Sequence, residues 1–166
     1  MIPILILVIS FIIDGILTNF LPYIELSLFM PLLTLISIFI IYPFYKKSET
    51  KYFLIVIIVG IIYDLFYTNL LFFNSLLFLL IAYLSKAIYK NLEISSIKLP
   101  IYITIVIITY ELLTALILLI FNVVPITFSN VLYKISHSII LNIIYSEIIY
   151  LILKLVPEKY KKININ

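Results

Sequence analysis

The sequence predicts an all-α, polytopic integral membrane protein, a six-helix bundle with both termini on the cytoplasmic side (N-in/C-in). Three observations carry this expectation. The 166-residue chain is 65% hydrophobic and 11% charged, with a mean hydropathy of +1.29; a soluble domain is about half apolar and a quarter charged. The apolar residues come in solid runs, without the alternation of a membrane β-barrel. The runs also have the right length, each near the roughly 20 residues that cross about 30 Å of hydrocarbon.

The first run, 2–21, has no basic segment before it and no small-residue cleavage site, so it is expected to persist as a helix. The second, 26–45, carries Pro31 in its first turns and Pro43 near its end, where a missing N–H or a kink is tolerated. The third and fourth, 52–71 and 73–89, are separated by a residue or two near Phe72 and should form a tight antiparallel hairpin. The fifth, 99–121, opens at Pro100, and the sixth, 131–155, stops before Pro157; Pro22 and Pro125 punctuate two connections. The whole chain, 1–166, reads as one transmembrane domain with no room for a soluble one.

Lysines orient the bundle. Lys46, Lys47 and Lys51 lie in one connection, Lys86, Lys90 and Lys98 in or beside another, and Lys159, Lys161 and Lys162 in the tail. The remaining connections have none. This alternation predicts six spans with lysine-rich ends facing the cytoplasm. The net charge of +3 is too small and scattered for nucleic-acid binding.

Catalytic chemistry finds little support. There is no cysteine for a thiolate or disulfide, and only two glycines, too few for a phosphate-cradling loop. A lone His137 builds neither a triad nor a metal site. An intramembrane aspartyl protease would need Gly-x-Gly-Asp on the helix facing its other aspartate, and "FIIDG" around Asp14 lacks it. The chain therefore reads as non-enzymatic, with no cofactor.

The polar residues inside the spans are the candidate site. "DGILTNFL" (Asp14, Thr18, Asn19) recurs 50 residues on as "DLFYTNLL" (Asp64, Thr68, Asn69), and Glu111 follows in "YELLTAL". Each acid lies twelve residues into a span that runs outward, about 18 Å deep. Asn142 on the sixth span falls at the same level, with Lys134 and His137 nearer the outer face. An ionised carboxylate in hydrocarbon is costly unless it is hydrogen-bonded, so the acids are expected to lie in one shared layer and tie the helices together. The Thr-Asn pairs read as helix-end and turn chemistry, and His137 as a hydrogen-bonded bundle histidine.

Residues 60–91, "GIIYDLFYTNLLFFNSLLFLLIAYLSKAIYKN", resemble the central signature of the rod shape-determining protein MreD family. That signature is a Gly, a few residues, Asp-Leu near the outer end of a span, then a short turn into the next helix. The family often has a Gly in that turn, where this chain has Phe72-Phe73. The resemblance implies a non-enzymatic scaffold of the bacterial elongation machinery in the cytoplasmic (inner) membrane. Its implied partner is an MreC-type single-pass protein, with MreB, RodA and its transpeptidase as further associates. On this reading Gly60 allows close helix approach, Asp64 with Asn69 fixes the outer end of the third and fourth spans, and the polar layer meets the partner helix. The layout is also similar to the S components of energy-coupling-factor vitamin transporters. There the acids, Asn142 and His137 would instead line a small-molecule pocket.

Overall fold

The computed structural model describes residues 2–20, 29–68, 70–92, 95–122 and 127–155. Among them are six α-helices and no strand: α1 (Ile2–Phe20), α2 (Leu33–Ile41), α3 (Glu49–Tyr67), α4 (Phe73–Asn91), α5 (Leu99–Ile120) and α6 (Phe128–Leu155), with a 3-10 turn, Tyr42–Tyr45, continuing α2. All but α2 are long and apolar enough to cross a membrane. Asn69, the prolines at 22, 125 and 157, and the lysines of the tail lie outside the described residues.

Helix α2 is the centre of the packing. All nine of its residues are buried, and it contacts α1, α4 and α6. A helix that is apolar all round belongs in a core. The pairs α3–α4 and α5–α6 pack closely around it as hairpins. The outer helices turn apolar side chains outward, as Leu5, Ile9, Ile12 and Ile16 do on α1. Ser10, Asp14, Asp64 and Ser85 are among the polar side chains turned inward. On α6 the buried stripe is Ser138, Asn142 and Ser146, at i, i+4 and i+8. Small polar residues at that spacing let helices approach closely inside lipid.

The second span departs from the expected continuous helix over 26–45. Residues 29–32 are not helical, and α2 begins at Leu33. Nine α-helical residues and four 3-10 residues cover roughly 21 Å, short of the hydrocarbon thickness. Pro31 is part of the cause: it lacks an N–H and turns Met30 away from helical angles. Irregular backbone at such a depth is tolerated only where protein groups satisfy it.

The break between α3 and α4 is wider than the residue or two expected near Phe72, since α3 ends at Tyr67 and α4 begins at Phe73. Its last residue before α4, Phe72, has φ 67°, the left-handed region that glycine enters without steric cost.

Candidate functional site

The two aspartates of the internal echo do the same thing to successive helices. Asp14 on α1 is 1% exposed. Its Oδ1 accepts the amide of Leu33 at 2.9 Å and its Oδ2 the amide of Thr34 at 2.9 Å. These are the first N–H groups of α2, which have no partner within their own helix. Asp64 on α3 is fully buried. It accepts the amide of Asn74 at 3.0 Å and that of Ser75 at 3.3 Å, the first turn of α4. Each carboxylate therefore caps the N-terminus of the next helix from outside it. The positive end of the helix dipole suits a carboxylate, and charged hydrogen bonds offset the cost of removing it from water.

Further side chains extend each cap. Beyond the Asp14 cap, Asn142 of α6 runs along the irregular backbone. Its Oδ1 accepts the amide of Leu32 at 2.9 Å, and its Nδ2 donates to the carbonyl of Met30 at 3.0 Å. The Met30 amide donates to the carbonyl of His137 at 3.1 Å. In the second cap, Thr68 Oγ1 and Asn74 Nδ2 donate to Asp64 Oδ1 at 2.9 and 2.8 Å. Tyr110 of α5 donates to Asn74 Oδ1 at 2.9 Å. One network thus joins α1, α2 and α6, and the other joins α3, α4 and α5.

Both glycines serve this arrangement. A Cβ on Gly60 would collide with Ser75 Cα and lie 2.8 Å from the Ser75 amide nitrogen. Gly60 and Asp64 are one turn apart on α3, so the same face that lets α4 approach also caps it. A Cβ on Gly15 would occupy the place of the Tyr67 hydroxyl, which donates to the carbonyl of Phe11 at 2.9 Å and pins α3 to α1.

Several expected site residues stand apart from these networks. Glu111 on α5 is 7% exposed and accepts no hydrogen bond from a described residue; it lies within electrostatic reach of Lys134. No hydrogen bond joins the three acids to one another among the described residues. His137 turns its ring back on its own helix, with Nδ1 2.7 Å from the carbonyl of Tyr133 and the ring stacked on Tyr133. Only its backbone carbonyl reaches the first network. Thr18 and Asn19 are exposed, and Asn19 Nδ2 donates to the carbonyl of Gly15 at 2.9 Å. The two halves of the echo therefore match in their hydrogen bonding at the aspartates and not at the threonines, since Thr68 bonds its aspartate and Thr18 does not. Asn69 lies outside the described residues.

Other participants were not anticipated. Asn74, Ser75 and Tyr110 complete the second cap, and Ser10, Ser37 and Tyr145 form a buried polar knot one turn from Asp14. Ser10 and Ser37 hydroxyls are 2.5 Å apart, Tyr145 lies 3.0 Å from Ser37 Oγ, and Tyr145 also bonds Ser10. Asn-Ser at the start of the fourth span was a legible helix-start signal; the serine–tyrosine knot had none.

Chemically, the oxygens of Asp14 and Asp64 are committed to amides that have no other partner. The arrangement is suited to holding backbone in place, and of Asp14, Asp64 and Glu111 only Glu111 accepts no hydrogen bond from a described residue; on α6 Glu147 Oε1 is likewise buried without a partner.

Comparison with known proteins agrees with this architecture. A family model described as rod shape-determining protein MreD matches residues 1–159. No curated protein and no solved structure matches the chain. The family is a structural component of cell-shape determination set in a membrane and is not a known enzyme family. With a match over nearly its whole length, a multi-pass run of apolar helices and buried carboxylates spent on architecture, the chain belongs to the rod shape-determining protein MreD family.

Proposed function

We propose that this protein is a non-enzymatic scaffold of the bacterial cell-elongation machinery. It binds an MreC-type single-pass protein in the cytoplasmic membrane and helps couple MreB filaments to the wall synthases RodA and its transpeptidase. The observation that carries this reading is the family match over 1–159, together with carboxylates that cap helices. The alternating lysine distribution supports an N-in/C-in arrangement, and six helices within one chain are compatible with an S-component-like order. Within the polar layer, Glu111 is the group left for a partner, because Asp14 and Asp64 already hold amides of this chain.

The test is co-purification with the partner from membranes, together with rescue of rod shape in cells lacking the protein. Glu111→Gln is expected to lower partner recovery while keeping the wild-type unfolding midpoint. Full recovery of the partner with Glu111→Gln, or rod-shaped cells without the protein, would remove this reading. Single cysteines introduced at Lys47 and Asn122 test the orientation, since the chain has no native cysteine. Only the first should be labelled from the cytoplasmic side.

A further inference from the structure

At the lysine-rich end of the bundle, a cavity of about 840 Å³ opens between the 3-10 turn, the end of α4, the connection into α5 and the end of α6. Lys46, Lys90, Lys98 and Lys154 line it, each from a different one of these segments. None makes an ion pair with a described residue, although Lys90 lies within electrostatic reach of Glu49; the one ion pair found among those residues, Lys86–Glu49, lies outside the lining. No carboxylate belongs to the described lining. Ile40, Phe44 and Leu153 give the cavity an apolar wall, with Tyr89 and Tyr150 beside it.

Helix ends explain only part of this cluster. Lys90 and Lys154 stand in the last turns of α4 and α6, where a cation suits the carbonyl end of the dipole. Lys98 is the N-cap of α5, where a cation opposes the dipole. Four like charges around one cavity also repel one another. Both costs are relieved by an anion seated among them. The cavity has the size of a small-molecule site, and its apolar wall suits an acyl chain better than a free ion does. Basic pockets between membrane helices are the known form of sites for anionic headgroups.

We infer that this cavity binds the phosphodiester headgroup of an anionic phospholipid, with the lysines around the phosphate and an acyl chain along Ile40, Phe44 and Leu153. The site is independent of the partner-binding reading above and would exist even if that reading failed.

The experiment is native mass spectrometry of the full chain in nonionic detergent, titrated with phosphatidylglycerol or phosphatidylcholine. Phosphatidylglycerol is expected to be retained about tenfold more strongly. The double variant Lys90→Gln/Lys154→Gln should lower phosphatidylglycerol retention about 25-fold, since each lysine near such a headgroup is worth about fivefold. Lys47→Gln/Lys51→Gln removes two exposed lysines of the same end that do not line the cavity, and should change it less than about twofold. Lys98→Gln gives an independent check, because removing a cation from an N-cap should not weaken the fold. Equal loss in the two double variants, or equal retention of the two lipids, would overturn the site. Displacement of the lipid by millimolar inorganic phosphate would reassign it to a free anion. Displacement by micromolar hexaglutamate would reassign it to an acidic protein segment.

Discussion

Asp14 on α1 and Asn142 on α6 grip one short stretch of backbone from two sides. Asp14 takes the amides of Leu33 and Thr34, and Asn142 takes the amide of Leu32 and the carbonyl of Met30. Between them they satisfy the backbone around Pro31, whose own nitrogen has no hydrogen to donate. A half-length helix can therefore begin inside the bundle with little polar cost. Helix α2 is held by side chains from the first and last helices of the chain, so its position reports on the closure of the whole bundle.

Removing that grip should be costly. Asp14→Ala leaves two buried amides without acceptors, at about 1–3 kcal/mol each. The variant is expected to lose about 2–6 kcal/mol, and Asp14→Asn, which keeps one acceptor oxygen, about half as much. Unfolding in mixed micelles, followed by circular dichroism, measures both. A wild-type midpoint for Asp14→Ala would be incompatible with the cap.

Asn142 should behave as the second half of the same clamp. Asn142→Leu is close in size and removes both bonds to residues 30 and 32. Its expected cost is about 2–4 kcal/mol. Because both side chains hold one segment, Asp14→Ala and Asn142→Leu should be less than additive when combined. Strict additivity in a double-mutant cycle would show that the two ends of the segment are independent.

Gly60 and Asp64 make a second coupled pair. Gly60→Ala drives a methyl group into the Ser75 backbone and must push the start of α4 off Asp64. Overpacking of this kind costs about 1–3 kcal/mol. In an Asp64→Ala background the same substitution should cost less, since the cap it disrupts is already gone. An unchanged cost in that background would separate close approach from capping.

Phe72 tests the turn. It is 65% exposed and left-handed. Phe72→Gly is expected to hold stability within about 1 kcal/mol of wild type, the relief of strain offsetting the greater freedom of the unfolded chain. Phe72→Val should lose about 1–2 kcal/mol, because a β-branched residue resists positive φ. Equal midpoints for the two variants would mean that this angle carries no strain.

Asp14 and Asp64 were conspicuous in the sequence because a charge among apolar residues stands out before anything is folded. Their ligands were not, because the donors are backbone amides, which nearly every residue carries. Asn74-Ser75 was readable as a helix start, yet nothing local pointed to an acid ten residues earlier as its cap. The short α2 was hidden for a related reason. Pro31 near the start of an apolar run is compatible with an ordinary helix, and the run contains enough apolar residues to cross. Two of the three acids expected in one layer, Asp14 and Asp64, each cap a different helix, and no hydrogen bond among the described residues joins them to each other or to Glu111, since equal depth along separate helices does not specify which way each side chain faces.

What the sequence determined alone was the membrane class, the number of apolar helices and the positions of the buried charges. Those depend on how much apolar surface each segment carries, a property that needs no neighbours. Tertiary structure decided where α2 begins, which amides each aspartate holds, and which acid is left over. Those are matters of hydrogen-bond geometry between distant segments, and a few ångströms decide them.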